Sequence, residues 1–120
     1  MNGLEEIIRS CAALPGSVED HPFGEQPTVY KVGGKLFAVL SVDEEPPRIS
    51  VKLPPEEGLA LRAQYPDRVL PGYHLNKRHW NTIVLDSGLD QGEVLDLIRQ
   101  SYDLIVTALP RRLRPGSAAR

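Results

Sequence analysis

One stretch of the chain concentrates the side chains that can do chemistry. Residues 70–86 read Leu-Pro-Gly-Tyr-His-Leu-Asn-Lys-Arg-His-Trp-Asn-Thr-Ile-Val-Leu-Asp and include two histidines, a lysine, an arginine and the only tryptophan. Cationic side chains contact phosphates, amides form hydrogen bonds, and aromatic rings stack on bases. The composition of this stretch therefore predicts a contact with nucleic acid.

The charge around this stretch is basic, although that of the whole chain is not. The formal net charge of −2 argues against binding nucleic acid through bulk charge. Between residues 46 and 85, however, basic side chains outnumber acidic ones. The bases are Arg48, Lys52, Arg62, Arg68, Lys77 and Arg78, and the acids are Glu56, Glu57 and Asp67. Binding through such a local face is expected to be weak and salt-sensitive, on the order of 10⁻⁴–10⁻⁶ M if non-specific.

The predicted surface is centred on Pro71–Thr82 and extends to two other segments. From the central stretch it takes Tyr73, His74, Asn76, Lys77, Arg78, His79, Trp80 and Asn81. From the flanking segments it takes Lys31, Lys35, Arg48 and Lys52. Structural roles stay open for several of these residues: Trp80 in the core, Lys77 and Arg78 in a solvated turn, and Asn76 bonding its own backbone.

A metal site, an enzyme and a protein-interaction module are the alternatives. His74 and His79 are five residues apart. At this spacing the two side chains point away from each other both on a strand and on a helix, so they would not bind the same metal ion. The chain lacks G-x-S-x-G, H-E-x-x-H and phosphate-loop motifs, although either histidine beside Asp86 could act as an acid–base group. No cofactor is expected. The same aromatic and arginine side chains could instead anchor a protein partner.

Apolar residues at helical spacing predict three helices. The first ends at Pro15-Gly16, the second runs from Pro54-Pro55 to Tyr65-Pro66, and the third runs from Asp90 to Pro110. The single cysteine, Cys11, falls in the apolar stripe of the first helix and is expected to be a buried thiol.

The strands are predicted by the alternation of apolar and polar residues and by one glycine turn. Gly33-Gly34 predicts a hairpin over Val29–Val42, because a two-residue glycine loop suits turns that need positive φ. The pairs that this hairpin predicts are Val32 with Lys35 and Tyr30 with Phe37. Further strands are expected over Arg48–Leu53 and Trp80–Asp86. Between the first helix and the hairpin, Phe23 is expected to pack and His21 to be structural.

These elements predict one α+β domain over residues 1–110, with an antiparallel sheet and helices packed on one face. Residues 111–120 are expected to be a flexible basic tail. A single cysteine, no secretory signal and no long apolar run predict a cytoplasmic protein that does not enter a membrane. The oligomeric state stays open, and a monomer is compatible with the sequence.

Several segments resemble the MmcQ/YjbR family of small bacterial proteins. They are Leu14-Pro15-Gly16, Pro22-Phe23-Gly24, Tyr30-Lys31-Val32, Gly34–Ala38, Pro71–Thr82, Ser101-Tyr102 and Leu109-Pro110. The resemblance covers nearly the whole chain and implies a fold similar to bacterial frataxin and a DNA-binding role. It departs from frataxin where iron would bind, because the first helix carries only Glu5 and Glu6 beside Arg9.

Overall fold

A computed structural model describes residues 3–72, 75–86 and 88–115 of the chain. In these residues six strands form one antiparallel sheet, in the order β1-β2-β3-β4-β6-β5, and three helices accompany it. The helices are α1 (Gly3–Ala13), α2 (Pro55–Gln64) and α3 (Gln91–Ala108). The strands are β1 (Val18–Asp20), β2 (Thr28–Val32), β3 (Lys35–Ser41), β4 (Arg48–Lys52), β5 (Val69–Pro71) and β6 (Trp80–Val84). The predicted α+β arrangement is confirmed, whereas the likeness to frataxin stays a prediction.

The main core lies between one face of the sheet and the helices. Alternation along the strands places Tyr30, Ala38, Leu40, Ile49, Val51, Ile83 and Val69 on this face. The helices cover it with Ile7, Cys11, Val94, Leu97, Ile98 and Tyr102. On the opposite face Ser50 and Thr82 share a hydrogen bond of 2.8 Å between their hydroxyl oxygens. Val29, Trp80 and Val84 are also buried but lie outside the main core cluster.

The glycine hairpin forms as predicted, with a difference in register. Gly33 and Gly34 have φ values of +58° and +82°, which the predicted turn requires. Val32 pairs with Lys35 as expected. The predicted pairing of Tyr30 with Phe37 is wrong: Tyr30 pairs with Ala38, and Lys31 pairs with Leu36.

Phe37 is the extra residue of a β-bulge, and this explains the shift in register. It is fully buried, and its ring lies edge-on to Tyr102 with the centroids 5.3 Å apart. The bulge allows Phe37 and its neighbour Ala38 both to enter the main core. Aromatic packing against α3 therefore sets the register of the hairpin.

Three short elements were not predicted. Strands β1 and β5 have three residues each, too few for an alternation pattern to be recognised. Arg111–Leu113 form a turn of 3₁₀-helix at the start of the predicted tail. Arg114 then donates hydrogen bonds from Nε to the Leu109 carbonyl and from Nη2 to the Thr107 carbonyl, which holds this segment to the end of α3. Residues 116–120 lie outside the described part of the chain.

Among the described residues no helix is both long enough and apolar enough to cross a membrane.

We expect the thiol of Cys11 to be unreactive in the folded protein. It is fully buried in α1, and burial raises its pKa to about 12. Because only the thiolate attacks thiol reagents, a chromogenic reagent at pH 8 should label the protein in denaturant and leave the native protein unlabelled. Rapid stoichiometric labelling without denaturant would contradict this placement of Cys11.

Candidate nucleic-acid interface

Strands β3 and β4 separate at one end of the sheet, and a serine of α3 lies between them. Ala38 and Val51 are the last directly paired residues of these strands at this end. At the next position the hydroxyl of Ser101 donates a hydrogen bond of 2.6 Å to the Phe37 carbonyl. The same hydroxyl accepts a hydrogen bond of 2.8 Å from the backbone N–H of Lys52. Ser101 thus replaces a direct bond between the two strands, and the sheet opens beyond it.

Strand β4 stays paired with β6 across the point where β3 leaves. Lys52 lies opposite Trp80, and the backbone N–H of Leu53 donates a hydrogen bond of 2.8 Å to the His79 carbonyl. The start of β3 instead stays in the hairpin with β2. The sheet therefore divides at this end, with β1, β2 and β3 on one side and β4, β6 and β5 on the other.

A cleft of about 530 Å³ lies at this opening, and we call it the lysine cleft. Its volume is in the range of about 300–1,000 Å³ that is usual for ligand sites. It is lined by Pro22, Phe23, Val29, Lys31, Gly34, Lys35, Leu36, Lys52, Trp80 and Ile105. Ile105 lies one helical turn after Ser101, so the same helix that separates the strands contributes to the lining.

The charge of the lysine cleft is positive. Lys31, Lys35 and Lys52 line it, and none of the described residues of the lining is acidic. Lys31 forms an ion pair of 3.3 Å with Asp20. The pKa of the Asp20 carboxyl is lowered, first by a hydrogen bond from the backbone N–H of His21 and then by Lys31. Within the described residues no carboxylate forms an ion pair with Lys35 or Lys52, which leaves both ammonium groups available to an anion.

Trp80 forms a buried wall of the cleft. Only 8% of its surface is exposed, although it is not part of the main core cluster. Its carbonyl accepts a hydrogen bond of 2.8 Å from the N–H of Gly72. A Cβ atom at Gly72 would lie 2.6 Å from the Cβ of Trp80, so this close approach requires glycine. The fold therefore fixes the indole beside the lysines and does not leave it free in solvent.

The turn that precedes Trp80 presents Lys77 and Arg78 to solvent. The side-chain oxygen of Asn76 accepts a hydrogen bond of 2.9 Å from the Arg78 N–H, which is the backbone role left open by the sequence. From α2, Arg62 donates a hydrogen bond of 3.1 Å to the Lys77 carbonyl. Because β6 begins at Trp80, this turn lies at the same end of the sheet as the lysine cleft, although it does not line the cleft.

Other residues of the predicted surface lie elsewhere. Asn81 is 1% exposed and packs against Gly58 of α2, on the helical face. Arg48 is at the opposite end of β4 from Lys52, about 13 Å away at roughly 3.3 Å per residue. His79 is half-buried, and its carbonyl rather than its ring is used by Leu53. Tyr73 and His74 lie outside the described residues.

Phe23 was not predicted as a site residue. The expectation that it packs inside the protein is wrong, because 74% of its surface is exposed. Its loop is held by His21 instead, whose ring Nε2 is 2.8 Å from Glu19 Oε2 and whose Nδ1 is 3.4 Å from the Glu25 carbonyl. The hydrogen bond with Glu19 raises the pKa of His21. His21 therefore has the structural role expected of it, and Phe23 lies at the rim of the lysine cleft.

The positions of the His, Cys, Asp and Glu side chains test the metal and enzyme alternatives. Across the described ranges, no group of three or more His, Cys, Asp or Glu side chains could hold a metal ion. His79 precedes the start of β6 and Asp86 follows its end, where Asp86 pairs with Arg68 at 3.2 Å. The suggested acid–base pair of His79 and Asp86 is therefore wrong, because a whole strand separates the two side chains.

Comparisons with known proteins agree on one family. The YjbR family model matches residues 12–104. The chain is 36% identical to YjbR of Escherichia coli K12, over 92% of this chain and 93% of that protein. It is 41% identical to YyaQ of Bacillus subtilis 168, over 83% and 95%. Both relatives are described as uncharacterized.

Solved structures give the same relationship. A Deinococcus radiodurans protein with a DUF419 domain is 34% identical and superposes with a TM-score of 0.87, over 94% of this chain and 86% of that chain. A Pseudomonas syringae protein is 26% identical with a TM-score of 0.67, over 87% and 98%. None of these names states a ligand or a reaction.

We expect Ser101→Ala to lower the free energy of unfolding by about 1–3 kcal/mol, because the Phe37 carbonyl and the Lys52 N–H both lose a buried partner. Urea unfolding measures this change. Thr107→Ala is the matched control, since Thr107 is an exposed hydroxyl residue of the same helix. Equal stability of Ser101→Ala and the wild type would contradict the bridging role of the hydroxyl.

Proposed function

The chain belongs to the YjbR family, and from the geometry of the lysine cleft we propose that it binds nucleic acid weakly through that cleft. The observation that carries the proposal is the convergence of Lys31, Lys35 and Lys52 with Trp80 in one recess. These residues come from four strands, and Lys52 and Trp80 are distant along the chain from the two hairpin lysines.

The chemistry of this recess suits a polyanion with flat rings. Ammonium groups contact phosphates as point charges, and an exposed aromatic ring such as that of Phe23 can stack on a base. Lys35 is exposed and Lys52 is half-buried, so both can contact a backbone laid across the opening, whereas Lys31 is held by its ion pair with Asp20. Lys77 and Arg78 supply two further cations at the same end of the sheet.

The number of available cations supports weak binding. Four phosphate contacts, from Lys35, Lys52, Lys77 and Arg78, give an affinity that depends steeply on salt and is near that of non-specific binding, with a Kd on the order of 10⁻⁴–10⁻⁶ M at physiological salt. The net charge of −2 is consistent with contact through this one end of the molecule rather than through the whole surface. A cytoplasmic location, where nucleic acid is present and a lone cysteine stays reduced, is part of the proposal.

A protein-interaction module is the second candidate. Phe23 is an exposed aromatic side chain that lines the cleft together with the apolar Leu36, and such side chains can anchor a partner segment. The three lysines would then select a segment rich in acidic residues. This candidate predicts binding of an acidic peptide and no binding of nucleic acid.

We expect two double variants each to flatten the salt dependence of nucleic-acid binding by about two units. They are Lys35→Ala with Lys52→Ala, and Lys77→Ala with Arg78→Ala. Each lost phosphate contact removes about 0.9 from the slope of log K against log salt on duplex DNA. Fluorescence anisotropy of a labelled oligonucleotide between about 50 and 200 mM salt measures the slope.

The control for these variants is Arg9→Ala with Arg99→Ala, which removes the same charge from the exposed faces of α1 and α3. Its slope should equal that of the wild type. If the slope of the control fell by the same amount, binding would depend on the net charge of the protein and not on a defined surface. The absence of any salt-dependent binding in the wild type would overturn the proposed function.

We expect Asp20→Asn to strengthen binding at low salt, by up to about fivefold. The substitution releases Lys31 from its ion pair and keeps an oxygen that can accept the hydrogen bond from the His21 N–H. Asp103→Asn is the control, because Asp103 pairs with Arg99 on the exposed face of α3. Anisotropy titrations should show a gain for Asp20→Asn alone; equal gains in both variants would indicate an effect of net charge only.

A further inference from the structure

The side chain of Phe23 is exposed to solvent and lies at the rim of the lysine cleft. Single exposed apolar side chains are common and need no explanation. Phe23, however, lies on the rim of the lysine cleft, which three lysines line, and 74% of its surface is open to solvent. Its ring is therefore the one aromatic face of the lysine cleft that a ligand can cover, since Trp80 is 8% exposed.

The shape of the site favours single-stranded nucleic acid over duplex. A protein reads a duplex by placing a helix or a ribbon into a groove, because the bases are stacked and paired inside. The lysine cleft is instead a recess, formed where β3 and β4 part around Ser101. A recess accepts groups that project from the ligand, and only a single strand can turn a base outward without breaking pairs.

The charges and the apolar surface are arranged for such a strand. Lys35 and Lys52 carry no ion pair with a described carboxylate, so both are available to contact phosphates. Leu36 and Ile105 give the recess an apolar lining for a base, and Phe23 offers a face on which a neighbouring base can stack. Stacking on aromatic side chains is available to every base, so this arrangement does not require a particular sequence.

We propose that the lysine cleft binds single-stranded nucleic acid in preference to duplex, with Phe23 as the stacking residue at its rim. This inference rests on the proposed function and assigns the class of ligand. The lysines supply the salt-dependent part of the affinity, and Phe23 supplies a part that salt does not change.

The test compares wild type, Phe23→Ala and Phe23→Tyr on one labelled oligonucleotide, offered as a single strand and as a duplex with its complement. The wild type should bind the single strand more tightly. Phe23→Ala should weaken single-strand binding about fivefold to a hundredfold, with an unchanged salt slope and little change on duplex. Phe23→Tyr keeps a stacking ring and should bind as the wild type does. Because the ring is exposed, all three proteins should unfold at the same urea concentration.

A second readout uses the only tryptophan of the chain. Trp80 lines the cleft, so its fluorescence should change when unlabelled single strand is added and change less with duplex. The single-strand assignment would be overturned if the wild type bound the two forms equally, or if Phe23→Ala bound the single strand as tightly as the wild type does. In either case salt-dependent binding by the wild type would still support the proposed function. Binding of polyglutamate with no binding of either oligonucleotide would overturn the assignment and the proposed function together, in favour of an acidic protein partner.

Discussion

The hydroxyl of Ser101 is the contact on which the rest of the site depends. It donates to the carbonyl of Phe37 and accepts from the N–H of Lys52, so it satisfies two strands with one buried group. A backbone group left unpaired in this position would lose its hydration without a replacement bond. The serine therefore lets β3 and β4 part inside the sheet while the Phe37 carbonyl and the Lys52 N–H both keep a hydrogen-bond partner.

Two neighbouring features follow from this branch. The bulge at Phe37 directs a large ring against Tyr102 of α3, which fixes the helix over the opening. Ile105, one turn further on, then reaches the recess from the helical side. The lysine cleft is thus produced by core packing, and its charged rim is carried by strand ends that the core holds in place. Preorganisation of this kind limits the side-chain freedom that a ligand must restrict on binding.

The sequence predicted the elements more reliably than it predicted their contacts. The glycine pair at Gly33-Gly34 predicted the hairpin, because positive φ at two successive residues is a local requirement. The register error at Tyr30 arose because the bulge depends on Phe37 meeting Tyr102, a contact between residues far apart in the chain. Short strands such as β1 carry too few residues for periodicity to be visible.

For the candidate site, too, the sequence predicted residue types better than it predicted contacts. Lys31, Lys35, Lys52 and Trp80 were selected from the sequence by charge and ring type, and the fold places them around one recess. Asn81 was selected on the same grounds but faces α2, since its strand alternation points it to the helices. Phe23 was assigned to packing because a loop phenylalanine beside proline carries no signal of exposure. The role of Ser101 could not be predicted at all, because a helical serine shows its partner only once the sheet is in place.

The two margins of the sheet have a consequence for self-association. Strand β1 ends the sheet on one side with three residues, two of them the acids Glu19 and Asp20. Strand β5 ends it on the other side and finishes at Pro71, which has no amide hydrogen to offer. Short, charged or proline-terminated margins discourage the addition of a strand from a second molecule. Growth of the sheet by edge-to-edge polymerisation is therefore disfavoured at both margins, even though β2, β3, β4 and β6 are rich in β-branched and aromatic residues.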